Sequence, residues 1–167
     1  TPLKNPNIIE KPLYYEPFVG FVPNTYPLSK KKLLCVDELN ADDMLLLKDG
    51  HCFKESILNM CSSLYSPKEK SFRLESGSFD TLIKLAKENL GMTLLPYLHS
   101  LDLSNEDKKL LRDFETPVPA REVSLLHHKS QLKMQMIEAL KETIDGIVRG
   151  AISFNDVKII SPLAKKK

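Results

Sequence analysis

The sequence predicts an α/β fold with a largely parallel sheet, because apolar strand patterns alternate with amphipathic helix patterns along its 167 residues. Two segments carry most of this prediction. Residues 78–91 and 132–149 place apolar side chains at three- and four-residue spacing, and each pattern is closed by a glycine. MTLLP at 92–96 and REVSLLHH at 121–128 read as strands beside them.

The first third of the chain predicts extended structure. IIEKPLYYEPFVGFVPNTYPL is aromatic and β-branched, and four prolines interrupt it. Segments 8–13 and 18–22 are expected to form either two strands or one long crossover between lobes. Residues 44–47 predict a short strand that ends at the turn pair Asp49-Gly50.

A helix is expected to start near His51–Cys52 and to run to about Leu64, since apolar residues recur at helical spacing. SFRLE at 71–75 predicts a short strand after it. In the next helix, Ser78 is the expected N-cap, and Gly91 the expected stop. Residues 103–114 fit a short amphipathic helix or a loop.

Composition excludes several classes of function. The chain has 24 basic and 22 acidic residues, a net charge of +2, so this segment predicts no large nucleic-acid surface. No apolar run approaches the ~20 residues that cross a bilayer. Three cysteines are too few for a disulfide scaffold and favour a reducing cytoplasm. The opening TPLKNPNIIEK lacks an initiator methionine, which suggests a piece of a longer protein.

The segment KDGHCFKESILNMC, residues 48–61, holds two of the three cysteines. Cys52 falls at a predicted helix start, where unpaired backbone N–H groups favour a thiolate. His51 and Lys54 are close enough in sequence to lower the pKa of that thiol further. A thiolate is the form that peroxide oxidises to a sulfenic acid.

Cys61 lies nine residues beyond Cys52, which corresponds to a rise of about 13.5 Å along an α-helix. A disulfide requires Cα atoms within roughly 4.4–6.8 Å. An intact helix and a Cys52–Cys61 disulfide therefore exclude each other, and oxidation of the pair would remodel the segment. The alternative is that both cysteines are passive packing residues, as is expected for Cys35. No motif predicts a metal site or a cofactor.

The stretch LLLKDGHCFKESILNMC resembles the redox segment of the OxyR family, the peroxide-sensing regulators of the LysR type. Downstream, FRLESGSFDTLIKLAKENLGMTLLP and PAREVSLLHH are similar to further stretches of that family. The resemblance spans roughly residues 8–150. It implies a two-lobed, periplasmic-binding-protein-like regulatory domain with mixed, mostly parallel sheets.

By this resemblance, Cys52 is the peroxide-reacting cysteine and Cys61 the resolving cysteine. His51, Lys54, Glu55 and Arg121 match positions that support the reactive thiol in the family. Lys54 stands where the family often carries arginine, and Glu55 where it carries aspartate. Lysine keeps the charge of arginine but loses its planar fork of donors.

The resemblance also implies an organisation. Residues 17–118 form a complete lobe two, and residues 1–16 and 119–167 form part of lobe one. A helix-turn-helix domain that is absent from this chain binds DNA and controls oxidative-stress genes. The implied partners are copies of the chain in a dimer or tetramer, with RNA polymerase as a further contact. An apolar surface on the helix 132–149 is expected to need covering.

Two other functions stay open at this level. The domain could bind a small organic effector between its lobes, a possibility favoured by the polar helix start at 76–78. It could also be a thiol peroxidase with Cys52 as nucleophile, although no second motif supports turnover. The prediction is a regulator and not an enzyme.

Overall fold

A computed structural model describes residues 5–48, 52–61, 75–152 and 157–160, apart from the side chains of Cys52 and Val157. The strands in these ranges are β1 (Ile8–Phe21), β2 (Leu33–Leu34), β3 (Leu46–Leu47), β4 (Glu75–Ser76), β5 (Thr93–Pro96), β6 (Leu111–Phe114), β7 (Val118–His128) and β8 (Val157–Ile159). The helices are α1 (Cys52–Met60), α2 (Phe79–Lys87), α3 (Tyr97–Leu101), α4 (Asn105–Lys108) and α5 (Met134–Arg149).

Strand β1 settles the first open alternative, because it is one continuous strand of 14 residues. Its first part pairs with β7, from Ile8 opposite His128 to Pro17 opposite Ala120. Its last part pairs with β5 and β6. The prolines do not divide it: the register shifts just after Pro12, and Pro17 falls where β1 changes partners.

The described strands form a mixed six-stranded sheet in the order β2-β6-β1-β7-β8, with β5 also on β1, and a small β3–β4 pair. Strand β1 runs antiparallel to β5, β6 and β7. The pairs β2–β6, β3–β4 and β7–β8 are parallel. The α/β class with mixed sheets is confirmed, but parallel pairing does not dominate, because one long strand serves three antiparallel neighbours.

The hydrophobic core is built from buried residues between Phe18 and Val118. Helix α1 contributes Phe53 and Ile57, and the strands beside it contribute fully buried side chains such as Leu46. The expected division into lobes at residues 17 and 118 stays a prediction. Helix α5 has no buried residue, and its apolar side chains Met136, Leu140 and Ile147 are exposed.

Two predicted elements differ from the structure, and parts of two others lie outside the described residues. The strand expected at 44–47 is reduced to β3, with Met44 in a single bridge to Met92. Only the last residue of the strand expected at 71–75 is described, and there it begins β4. Residues 62–64 of the first predicted helix lie outside the described ranges. The segment 103–114, expected to be helix or loop, contains α4 and also strand β6.

Helix α2 begins as predicted, with Ser78 accepting a hydrogen bond from the Thr81 backbone N–H. It ends at Lys87, earlier than expected, and the left-handed residue after it is Asn89, with φ 61°. Gly91 has a different role, because a Cβ there would lie 2.9 Å from the Asp43 carbonyl oxygen. None of the helices in the described ranges is long and apolar enough to span a membrane.

Candidate functional site

Helix α1 is the element that carries the predicted redox pair. Its backbone is helical from Cys52, and the Cys61 N–H donates to the Ile57 carbonyl oxygen at 3.0 Å, which continues the helical pattern through Cys61. Nine helical residues separate the two Cα atoms by about 13.5 Å, twice the reach of a disulfide. His51 and the side chain of Cys52 lie outside the described residues. The conformation described here is therefore incompatible with a Cys52–Cys61 bond.

Cys61 is a free cysteine whose side chain is 1% exposed. Burial raises the pKa of its thiol to about 11, because the surroundings disfavour the charged form. At neutral pH the thiol is protonated, and a protonated thiol is a poor nucleophile. In this conformation Cys61 is therefore both out of reach and chemically unreactive.

Phe53, the residue after Cys52, is held by aromatic and cationic contacts. Its ring meets the Phe79 ring edge-on at 5.0 Å and the Phe18 ring at 5.1 Å, measured between centroids. The Arg121 guanidinium lies 5.2 Å from the centre of the Phe53 ring, a cation–π contact. These contacts fix the first turn of α1 against three other elements of the fold.

Arg121 is itself fixed by Glu16, which stands opposite it in the β1–β7 register. The Arg121 Nε and Nη2 atoms donate to Glu16 Oε2 at 2.9 and 2.7 Å. Glu16 is 2% exposed, and its other oxygen accepts the Leu98 backbone N–H at 3.0 Å. A buried carboxylate with these partners is well compensated. Glu16 was not predicted from the sequence. The one sign of its role there is that it is an acidic residue within an apolar stretch.

Lys54 has a defined partner outside the redox pair. Its Nζ atom lies 2.6 Å from Glu75 Oε1, and the Lys54 residue is 6% exposed. Glu55, on the next position of the helix, is exposed. Lys54 thus ties the first turn of α1 to Glu75 on β4, and Arg121 on β7 reaches the same turn through Phe53. Their support of the reactive thiol, and that of Glu55 and His51, stays a prediction.

No group of three or more potential ligands stands ready to hold a metal ion within the described ranges. Cys35 is a free, half-buried thiol at the start of a 3₁₀ turn. The candidate site on α1 therefore offers thiol chemistry. Its residues Phe53 and Lys54 are held by contacts with Arg121 and Glu75 on other elements.

A family model described as the LysR substrate binding domain matches residues 1–146, so the chain belongs to that family. The fold described above is the periplasmic-binding-protein-like fold of these domains. Within the family the chain is OxyR-like, and its named relatives are transcription regulators and not enzymes.

Three comparisons support this assignment. The "Probable hydrogen peroxide-inducible genes activator" of Mycobacterium leprae is 32% identical over 124 residues, which cover 74% of this chain and 40% of that protein. The "DNA-binding transcriptional dual regulator OxyR" of Escherichia coli is 27% identical, with 83% and 46% covered. Reduced OxyR from Porphyromonas gingivalis superposes with a TM-score of 0.71 at 28% identity, covering 93% of this chain and 68% of that one. The chain spans less than half the length of both curated relatives.

Proposed function

We propose that this chain is the redox-sensing part of an OxyR-type transcription regulator, in which peroxide oxidises Cys52 and Cys61 resolves the product as a disulfide. One observation carries the proposal: helix α1 places a buried, free Cys61 nine residues after Cys52. The names of the relatives supply the signal, hydrogen peroxide.

The proposed chemistry has two steps. The Cys52 thiolate attacks one peroxide oxygen, the O–O bond breaks, and hydroxide leaves and is protonated to water, so that sulfur is oxidised to a sulfenic acid and peroxide is reduced. The Cys61 sulfur then attacks the sulfenic sulfur, and the S–O bond breaks. Hydroxide leaves and takes up the thiol proton as a second water, and a Cys52–Cys61 disulfide remains.

The second step requires a structural change, and that change is the proposed signal. Cys61 must leave its buried position. The helix between the two cysteines must also unwind before their sulfurs can come within bonding distance. Residues 50–64 are therefore remodelled in the oxidised form. A covalent event thereby selects between two conformations, as a switch requires.

The wider organisation follows the same proposal. Residues 17–118 act as lobe two, and residues 1–16 and 119–167 contribute to lobe one. DNA is bound by an N-terminal helix-turn-helix domain of the longer protein, which works in the cytoplasm as a dimer or tetramer and contacts RNA polymerase. The remodelled segment changes subunit packing, and transcription of oxidative-stress genes responds.

Peptide mapping after a brief exposure to low peroxide tests the proposal. Trypsin cuts after Lys54, which lies between the two cysteines, so Cys52 and Cys61 fall on separate peptides unless a disulfide joins them. We expect one linked species that dithiothreitol separates and that disappears in Cys52→Ser and in Cys61→Ser. Cys35→Ser is the matched control and should give the same linked species as the parent chain. If low peroxide yields no link in the parent chain, the proposal is wrong.

The alternative is a domain that binds a small organic effector at the polar start of α2. The described hydroxyls there are used within the fold: Ser76 Oγ accepts the Ser78 N–H at 3.3 Å, and Ser78 Oγ caps Thr81. These bonds account for the polar residues at the start of α2 as a helix cap. A response to effector that survives Cys52→Ser, with no response to peroxide, would favour the alternative.

A further inference from the structure

One face of helix α1 carries both the thiol to be released and a buried charge. Lys54, Ile57 and Cys61 are spaced i, i+3, i+7, so they lie along one stripe. All three residues are buried, with exposures of 6%, 1% and 1%, whereas Glu55 on a different face is exposed. A rotation of α1 as a unit that exposes the Cys61 sulfur therefore also withdraws Lys54.

The partner of Lys54 is fixed independently of α1. Glu75 starts strand β4, where it stands opposite Leu46 in the parallel β3–β4 pair. The Lys48 N–H donates to the Ser76 carbonyl oxygen at 2.9 Å and holds this strand in place. The 2.6 Å contact between Lys54 Nζ and Glu75 Oε1 therefore ties the redox helix to a small sheet that does not belong to it.

The two ends of this ion pair differ in their access to water. The Lys54 side chain is 8% exposed, and the Glu75 side chain is 29% exposed. A carboxylate stabilises a buried ammonium more than an exposed one, because water screens the buried pair less. A carboxylate with partial access to water is less dependent on its partner. We call the described conformation, in which Lys54 and Cys61 are buried, the closed helix. Removing Lys54 and removing Glu75 should therefore change its stability by different amounts.

We propose that the Lys54–Glu75 ion pair is a latch that holds α1 closed over Cys61 and thereby sets how readily the disulfide forms. The inference rests on the proposed function. In it, Lys54 and Glu75 are positioning residues: they touch neither peroxide nor the reacting sulfurs, and they act on the opening that must precede the attack of Cys61 on the sulfenic acid.

The test uses the chain with Cys35→Ser, so that Cys52 and Cys61 are the remaining thiols. A pulse of peroxide forms the sulfenic acid, and disulfide formation is followed by mass after quenching with an alkylating agent. We expect Glu75→Gln to accelerate this step by about tenfold, because the closed helix then buries the ammonium without this carboxylate.

Substitution of the other partner should act in the same direction but more weakly. Lys54→Met keeps an unbranched chain of similar length and removes the charge, while Glu75 can be hydrated where it stands. We expect disulfide formation to be faster than in the parent chain, but by less than in Glu75→Gln, because the ion pair is lost while the buried charge is removed with it. In the Lys54→Met background, Glu75→Gln should have almost no further effect, since the two residues act through one interaction.

Glu38→Gln provides the matched control. It makes the same chemical change in an exposed ion pair with Lys31, away from α1, and should leave the rate unchanged. If Glu75→Gln fails to fold, judged by circular dichroism, the rate in Lys54→Met decides alone. A disulfide that forms at equal rates in all variants overturns the latch but leaves the proposed function intact. A parent chain that forms no Cys52–Cys61 disulfide overturns the proposed function itself.

Discussion

Arg121 on strand β7 places its guanidinium 5.2 Å from the centre of the Phe53 ring on helix α1. Phe53 directly follows Cys52, and Arg121 is bound by the buried Glu16 on β1. The long β1–β7 ladder is thus connected, through one cation–π contact, to the start of the helix that carries both cysteines. Sequence resemblance placed Arg121 near the reactive thiol, and the structure shows what orients it.

We expect Glu16→Gln to lower the free energy of unfolding by about 2–3 kcal/mol, because it leaves Arg121 without its carboxylate inside a largely buried site. The loss of stability is smaller than for a fully buried pair, since the Arg121 side chain is 29% exposed and water can compensate part of it. Urea unfolding of the reduced chain measures the change.

Glu138→Gln is the matched control, because Glu138 pairs with Lys11 at the surface and its side chain is 49% exposed. The change there should stay below about 0.5 kcal/mol. Equal effects of the two substitutions would contradict the anchoring role given to Glu16.

The stability of the reduced chain should fall at high pH because of Cys61. Its thiol has a pKa raised to about 11 by burial, against 9.0 for a free thiol, so the folded state holds the proton more tightly. The resulting stabilisation is complete below pH 9 and is lost as the pH rises from 9 to 11. The loss amounts to about 3 kcal/mol in total, at 1.36 kcal/mol per pKa unit.

Cys61→Ala isolates this contribution from that of lysines and tyrosines that titrate in the same range. Unfolding by urea at pH 8, 9, 10 and 11, with reductant present, should give a shallower pH dependence for the variant than for the parent chain. Parallel curves for the two proteins would show that Cys61 titrates normally in the folded state.

Two glycines offer substitutions of opposite sign. Gly91→Ala should destabilise the fold by about 1–3 kcal/mol, because the new Cβ would lie 2.9 Å from the Asp43 carbonyl oxygen and 2.8 Å from Leu45 Cγ. Gly146→Ala adds a methyl group with nothing within 4 Å, inside helix α5, and should stabilise by about 0.5–1 kcal/mol.

Thermal unfolding of both variants beside the parent chain measures these effects. A neutral Gly91→Ala would mean that Leu45 and the backbone at Asp43 move apart at little cost. A destabilising Gly146→Ala would show that α5 is packed on that side by another segment or another copy.

Helices α1, α2 and α5 were predictable because their signals are local, whereas the short helix α3 was not predicted. Ser78 caps α2 where the sequence indicates, and the apolar spacing of α1 and α5 matches their observed bounds to within a few residues. Strand β1 was less predictable, because Pro12 and Pro17 normally separate strands. Only the pairing partners show that one proline lies beside a register shift and the other at a change of partner.

The candidate site divides in the same way. Cys52 and Cys61 are visible in the sequence because their spacing and flanking residues are local features. Glu16 and Glu75 are not, since their importance comes from Arg121, 105 residues away, and from Lys54, 21 residues away. Contacts across such separations depend on the fold, and no periodicity along the chain encodes them.

Strand β1 exchanges β7 for β5 and then β6 within three residues, from Pro17 to Gly20, just beyond the point where Glu16 and Arg121 face each other. The two ends of β1 thus pair with different strands. A shift of β1 against β7 at this point would displace the Arg121 guanidinium, which Glu16 binds and which lies over Phe53. Such a shift would reach the first turn of α1 through the Phe53 ring, which Phe18 of β1 contacts as well.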